Sequence, residues 1–367
     1  MRPIVIVGAS LAGLRAATAV RAAGWAGRVV LVGDEPHKPY TRPPLSKEVL
    51  DGRHTVETGA FPCEELDVEW RLGEPATALD VAARTVTIGD EAVEYETLII
   101  ATGTRARTWP GETAANVFTL RDRDDAIALK AALATAKTVA IVGAGFIGCE
   151  VASSARKLGL EVTLLDVAEQ PMLALGAELG ARCAALHRDH GVELRLGAPA
   201  DLAALDHDVI VVALGALPNI EWLEGSGLTL DRGVVCDANL QAAPHVFAAG
   251  DVAVWPHPLA DGEPIRVEHW TNAAEQGAHA GRNALAETPK PYEAVPYFWT
   301  DQYDVKIQAA GLPARAERVE LIEPDVAVGV RGEHVVSVVT FNAPRKLMQY
   351  RRRLASRPRL DELVSLA

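Results

Sequence analysis

Ile4-Val5-Ile6-Val7-Gly8-Ala9-Ser10-Leu11-Ala12-Gly13 opens the chain, and its pattern returns in Thr138-Val139-Ala140-Ile141-Val142-Gly143-Ala144-Gly145-Phe146-Ile147-Gly148. Each copy runs a β-branched apolar stretch, the mark of a strand buried on both faces, into a glycine-spaced turn. Helical composition follows over Leu14–Ala23, stopped by Gly24, and over Cys149–Leu158. A second strand closes each unit: Arg28–Val32 before Gly33-Asp34-Glu35, and Glu161–Leu165 before Asp166. Two such βαβ units predict an α/β protein with two Rossmann-like nucleotide-binding domains.

A dinucleotide needs its pyrophosphate against backbone N–H groups at a helix N-terminus, where partial positive charge collects. Gly8 permits the tight turn and Gly13 the close helix–strand approach, while Ser10 stands where a middle glycine is usual. An ordinary strand–helix turn is the alternative for Gly8 and Gly13; the complete βαβ context makes it the weaker one. Asp34 or Glu35 can bond the ribose hydroxyls, with Asp34 preferred. The second copy is complete at Gly143, Gly145 and Gly148, and Asp166 is placed to accept the 2′- and 3′-hydroxyls of an adenine ribose and repel a 2′-phosphate. Glu169 lies close by with no neighbouring Arg or Lys, so NADH is expected over NADPH.

At roughly 100–200 residues per domain, 367 residues leave room for two to four. Hydrophobic residues at 49% exclude a mainly disordered chain, and a net charge of −13 argues against a general nucleic-acid binder. No apolar run reaches membrane-spanning length, and the first strand leaves no space for a signal peptide, so a reducing, cytoplasmic setting is expected. Four scattered cysteines, with no CxxC or CxxxxC pair, suit neither a disulfide framework nor a metal site. Further strands are expected at Glu96–Ala101, stopping at Ala101-Thr102-Gly103, at Asp208–Leu214 before Gly215, and at Val246–Ala249 before Gly250-Asp251. From about Pro296 the pattern turns antiparallel, over Val305–Ala310, Arg318–Ile322, Val326–Val330 and Val335–Phe341, ahead of a basic helix at Arg345–Leu354. The expected domains are 1–112 with 237–295 for one nucleotide, 113–236 for the other, and a small α+β domain at 296–367.

Three stretches carry a resemblance: Gly33 to Lys47, with Arg42-Pro43-Pro44-Leu45-Ser46-Lys47 its most specific part; Val246-Phe247-Ala248-Ala249-Gly250-Asp251; and Phe298-Trp299-Thr300-Asp301-Gln302-Tyr303. The chain resembles the oxygenase-coupled, NADH-dependent ferredoxin reductases, which belong to the FAD-dependent pyridine nucleotide-disulfide oxidoreductases of glutathione reductase fold. That resemblance implies FAD contacts from Ser10, Leu11, Ala12, Asp34, Arg42, Lys47, Ala76 and Arg121. Ala101, Thr102 and Gly103 would pass near the cofactor, and Asp251 after Gly250 would bond its ribityl chain. Trp270, in Glu268-His269-Trp270, would sit beside the isoalloxazine or else serve as a core aromatic. Lys47 by itself reads as a surface lysine; Pro43-Pro44 stiffen its approach and favour a cofactor role. Glu150 resembles the glutamate that approaches the nicotinamide, though a first-turn helix acid reads the same way. Phe146, Ile147 and Gly215 would also line the NADH side. The β-meander usual in the family after Leu196-Gly197 is trimmed to residues 198–207.

The family's disulfide reducers need a cysteine pair, which this chain lacks. Hydride from NADH to FAD, followed by single electrons to an iron–sulfur ferredoxin, needs no side-chain acid or nucleophile. The implied activity is an NADH-dependent ferredoxin reductase serving a cytochrome P450 or ring-hydroxylating oxygenase. The rivals are a rubredoxin reductase, an NADH oxidase, or an NADH-sensing interaction module resembling apoptosis-inducing factor. Arg345 to Arg359 holds seven basic residues and no acid, with Leu347, Tyr350 and Leu354 at helical spacing. That run is either a solvated helix face or a patch that steers an acidic protein. Trp299 is either a residue on the electron exit route or core.

Overall fold

The computed structural model describes residues 1–364. Its main elements are β1 (Ile4–Val7), α1 (Leu11–Ala22), β2 (Val29–Gly33), β3 (Thr138–Val142), α2 (Phe146–Lys157), β4 (Glu161–Asp166), α3 (Trp270–Asn283), β5 (Tyr297–Gln302) and α4 (Pro344–Leu354). Both turn helices begin three residues earlier than composition suggests, because the last glycines of the turns, Gly13 and Gly148, already lie in the first helical turn. Internal contacts divide the chain into Met1–Thr41, Ala60–Arg105 and Leu217–Pro296 as one unit, and Arg42–Gly59, Ala106–Ala216 and Tyr297–Ala367 as the other. This differs from the boundaries drawn on sequence. Residues 217–236 group with the first unit, and the expected third domain groups with the second nucleotide-binding region. No helix among the described residues is long and apolar enough to cross a membrane.

In the first unit β1 is flanked in parallel by β2 and by Thr97–Ile100. The sheet extends to Glu69–Leu72 beyond β2 and to Val246–Ala248 and an antiparallel Gln241–Ala243 at the other edge. Strands covered on both faces have no solvent side to alternate with, which is why β1 reads as an unbroken apolar run. Ile4, Ile6, Leu31, Ile99 and Phe247 pack with Ala16, Ala17 and Val20 of α1. Each fully buried side chain of the larger kind contributes roughly 1.5–3 kcal/mol. The helix α3, with no counterpart among the expected elements, lies against α1 through two glycines. A Cβ on Gly277 or Gly281 would meet the Ala12 or Ala16 carbonyl oxygen at 2.1 and 2.5 Å.

In the second unit β3 lies between β4 and Val209–Val212, all parallel, with Glu193–Leu196 and Val117–Phe118 at the edges. Between Leu196 and Val209 there is only the short helical turn Leu202–Ala204, so the meander is absent from this segment. The same unit carries a five-stranded antiparallel sheet in the order β5, Val305–Gly311, His334–Phe341, Val326–Arg331, Arg318–Glu323. Four of these strands are the expected ones within two residues. β5 was not anticipated, although Phe298, Thr300 and Gln302 alternate inward along it. Leu347, Tyr350 and Leu354 of α4 are buried, as their spacing predicts.

Candidate functional site: two glycine turns and a buried ion pair

Gly8 has φ +119°, and a Cβ there would meet the Ala101 carbonyl oxygen at 2.0 Å; one on Gly13 would meet the Gly8 oxygen at 1.8 Å. The second turn repeats this: Gly143, at φ +110°, lies against the Ala213 oxygen, and Gly148 against the Gly143 oxygen at 1.9 Å. Gly8 and Gly143 each donate to the carbonyl of the neighbouring strand, Val32 and Leu165, at 2.8 Å. Ser10 and Gly145 are the N-cap residues of α1 and α2, and neither makes a side-chain cap. The first-turn N–H groups of both helices therefore project beyond their turns, the arrangement that holds a phosphate. Gly145 adopts φ −79°, and a Cβ there would meet open space. Beyond its chain neighbours, no described residue comes within 4 Å of that Cβ, so glycine there leaves the backbone open to the close approach of a ligand. The turn residues thus fit a dinucleotide.

The acids beside the two turns are not equivalent. Asp166 immediately follows Leu165, and its Oδ2 accepts from the Ala144 N–H at 2.6 Å while Oδ1 accepts from Ala168 at 2.8 Å. At the matching place in the first unit stands Gly33, where a Cβ would press on that of Ala9 at 2.7 Å. Asp34 and Glu35 come one and two residues later. Asp34, the preferred candidate, is exposed and accepts its neighbour's N–H at 3.0 Å. Glu35 is half-buried and accepts from the Tyr40 hydroxyl at 2.5 Å.

Elsewhere in the first unit, Gly250 donates to the Gln276 side chain at 2.9 Å and lies over Ala12, while Asp251 accepts from Thr104 at 3.2 Å. Thr102 exchanges two hydrogen bonds with Asn219, and Gly103, at φ +62°, faces open space. Ala76 begins the strand Ala76–Asp80 of a small antiparallel sheet. Glu268 pairs with Arg266 at 2.6 Å. His269 is half-buried, and the desolvation of its ring lowers its pKa to about 4 and keeps it neutral at pH 7. Trp270 opens α3, is half-buried, and donates from Nε1 to Thr41 Oγ1 at 3.2 Å, so it is not a core aromatic. With Arg15, His279, Arg282 and Tyr292 it lines a groove of about 590 Å³.

Lys47 and Glu150 meet in the second unit at 2.7 Å, with side chains only 9% and 5% exposed. The surface-lysine reading of Lys47 is thereby excluded. Ser46 Oγ donates to the same carboxylate oxygen, Oε2, at 2.5 Å, and Thr300 Oγ1 donates to Oε1 at 2.7 Å. A buried ion pair is tolerated only where such extra hydrogen bonds offset desolvation. Neither hydroxyl was legible beforehand, because Thr300 lies 150 residues from Glu150. Arg42 donates to the Arg121 carbonyl at 3.0 Å, and the Arg121 N–H is held by Asp125, whose carboxyl pKa burial raises. Phe146 and Ile147 form the first turn of α2, and Gly215, at φ +85°, faces open space. Trp299 is half-buried and stacks on Tyr297, ring centroids 6.0 Å apart.

The four cysteines are free and buried; burial raises the Cys149 thiol well above its usual pKa and Cys183 and Cys236 to about 12. They are packing residues, not nucleophiles. The basic run is less positive than its sequence suggests. Lys346 pairs with Glu323 and Asp325 at 2.5 and 2.8 Å, and Arg359 with Glu333 at 2.5 Å. These acids come from the neighbouring sheet, outside the run itself.

A family model described as pyridine nucleotide-disulphide oxidoreductase matches residues 2–277, and one described as reductase C-terminal matches 297–364. The chain belongs to the pyridine nucleotide-disulphide oxidoreductase family. Within it, the chain is 36% identical to rhodocoxin reductase of Rhodococcus erythropolis, over 96% of this chain and 89% of that one. It is 37% identical to the ferredoxin–NAD(+) reductase component of the biphenyl dioxygenase system of Paraburkholderia xenovorans (strain LB400), over 84% and 80%. The fold matches the crystal structure of the covalent putidaredoxin reductase–putidaredoxin complex with a TM-score of 0.90 at 30% identity, covering 97% of this chain and 93% of that one. The α/β architecture with a small C-terminal domain is thus that of the oxidoreductase family.

Proposed function

We propose that this chain is an FAD-dependent NADH:ferredoxin oxidoreductase, delivering electrons to an iron–sulfur ferredoxin that serves a cytochrome P450 or ring-hydroxylating oxygenase. The duplicated glycine turn carries the proposal: each unit has its own dinucleotide cradle. FAD, when bound, takes two electrons as a hydride and releases them singly. Gly8, Ser10, Leu11, Ala12 and Gly13 would hold its pyrophosphate, and Glu35, oriented by Tyr40, would take the ribose in preference to Asp34. Asp251 and Trp270, in the same unit, would serve the same cofactor. Gly143, Gly145, Phe146, Ile147, Gly148, Asp166 and Gly215 would hold NADH, with the Lys47–Glu150 pair beside the nicotinamide. Each Asp166 oxygen uses one lone pair on a backbone N–H and keeps another for a ribose hydroxyl.

Electrons would leave without a thiol relay, since no cysteine pair of the required spacing exists. The free, buried thiols suit a reducing, cytoplasmic setting. The names of the relatives support a ferredoxin as acceptor, and the exposed Arg345 and Arg352 of α4 suit an acidic docking partner. The test is anaerobic reduction of FAD-loaded protein by NADH, then mixing with a panel of ferredoxins. Flavin bleaching and reoxidation by at least one ferredoxin are expected. Protein that takes up no flavin, or bleaching that needs an added thiol, would overturn the proposal.

A further inference from the structure

β5 is laid along α2 in step. Phe298 meets Phe146 edge-on, ring centroids 4.8 Å apart, and Thr300 bonds Glu150. Just past the strand, the Tyr303 N–H donates to Ser153 Oγ at 2.6 Å. Positions 146, 150 and 153 share one helix face, as 298, 300 and 302 share one strand face. The other face of β5 carries Tyr297 and Trp299, with the Arg351 guanidinium 5.3 Å from the Tyr297 ring centre.

Glu150 receives Lys47 and Ser46 on the same oxygen, Oε2, and both donors come from one short segment, Ser46-Lys47. The torsion about the last bond of a glutamate is broad and roughly two-fold, so on that side the carboxylate plane is held only by the contacts to Oε2, both from one short segment. A donor on the second oxygen, from a different element, restrains the plane from the opposite side. Thr300 supplies it at 2.7 Å from a fully buried, β-branched side chain with restricted χ1, so its hydroxyl is preset.

We propose that Thr300 is a positioning residue: it locks the plane of the Glu150 carboxylate, so that the Lys47–Glu150 pair offers one fixed geometry while NADH is oxidised. The inference rests on the NADH-to-flavin reading above. In that reaction the C4–H bond of NADH breaks, its hydrogen and both electrons pass to the flavin, and NAD+ remains. Thr300 neither gains nor loses a proton.

The test compares Thr300→Val, which keeps the shape and removes the hydroxyl, with Thr300→Ser, which restores it; Thr300→Ala gives a second hydroxyl-free variant should the valine protein fold poorly. Flavin reduction at saturating NADH should slow about tenfold in the hydroxyl-free variants and return to within about twofold in the serine variant. Reduction by dithionite and the KM for ferredoxin should stay unchanged. The long-wavelength charge-transfer absorbance of NAD+ on the reduced enzyme should weaken in parallel. A crystal structure of Thr300→Val without cofactor should show the Glu150–Lys47 contact loosened. Wild-type reduction rate and absorbance in the valine variant would overturn the inference, as would a serine variant as slow as the valine one, which would mean packing alone. Failure of the underlying reading is distinguishable, because wild-type protein would then not bleach with NADH at all.

Discussion

The turn at Gly8 and the turn at Gly143 share one plan, and two of their differences are informative. In both, the first and last glycines are forced by protein backbone 2.3 Å or less from where a Cβ would sit. The middle position is Ser10 in one and Gly145 in the other, and the closing position of the second strand is Gly33 in one and Asp166 in the other. Positions crowded by backbone are thus held in common, while the middle position and the strand-closing position, where Gly33 meets only the Ala9 side chain that closely, have diverged. A glycine repeat therefore mixes two kinds of constraint, and only the tertiary contacts separate them.

The largest effect should come from the shared framework. Gly8→Ala and Gly143→Ala each drive a methyl into a carbonyl at positive φ, with a cost of about 3 kcal/mol or more. Thermal melting should show strong destabilisation in both, and near wild-type stability in either would break the structural equivalence of the turns. Next comes acid sensitivity, where the two units should behave alike. Burial lowers His187 in the second unit and His269 in the first to about 4. The unfolded chain binds protons near pH 6.5 that the folded state refuses until about 4. Stability present above 6.5 is therefore lost as pH falls toward 4, by up to about 3 kcal/mol per histidine. His187→Gln should flatten the dependence of melting temperature on pH; an NMR titration finding ordinary histidine pKa values would refute this.

Divergent positions should give smaller, ligand-specific effects. Asp166→Asn should cut the NADH over NADPH preference in kcat/KM by about 10–100-fold, part of the ~4 kcal/mol that like charges 4 Å apart exchange at an effective dielectric of 20. An unaltered preference would remove Asp166 from the specificity role. Gly145→Ala should change stability by less than about 0.5 kcal/mol, since its Cβ meets open space, yet weaken NADH binding about tenfold. Equal losses of stability and affinity would erase the distinction between the two kinds of glycine. Smallest of all, Arg352→Glu on exposed α4 should raise the KM for ferredoxin about threefold at low salt and less at high salt.

Much of this was legible from local pattern. β1, β3 and β4 lie within a residue of their apolar runs, and α4 buries the three residues its spacing selects. The α3 helix was missed because its Ala, Gly and His content shows no apolar stripe; its packing depends on Gly277 and Gly281 approaching α1. β5 was missed because Thr300 and Gln302 are polar residues facing inward. The basic run was overcounted because its neutralising acids lie outside it, Glu323 at the end of a strand and Asp325 and Glu333 in the turns that join the strands.

The sequence by itself determined the two βαβ units, the glycine turns and the absence of a cysteine relay, because each is written in neighbouring residues under backbone sterics and strand or helix periodicity. Only the tertiary structure decided that Lys47 is buried on Glu150, that Thr300 completes the pair, and that Gly33 rather than an acid matches Asp166. Those facts join residues far apart in the chain. Which distant donor reaches a buried carboxylate is fixed by packing and register, and no local pattern encodes it.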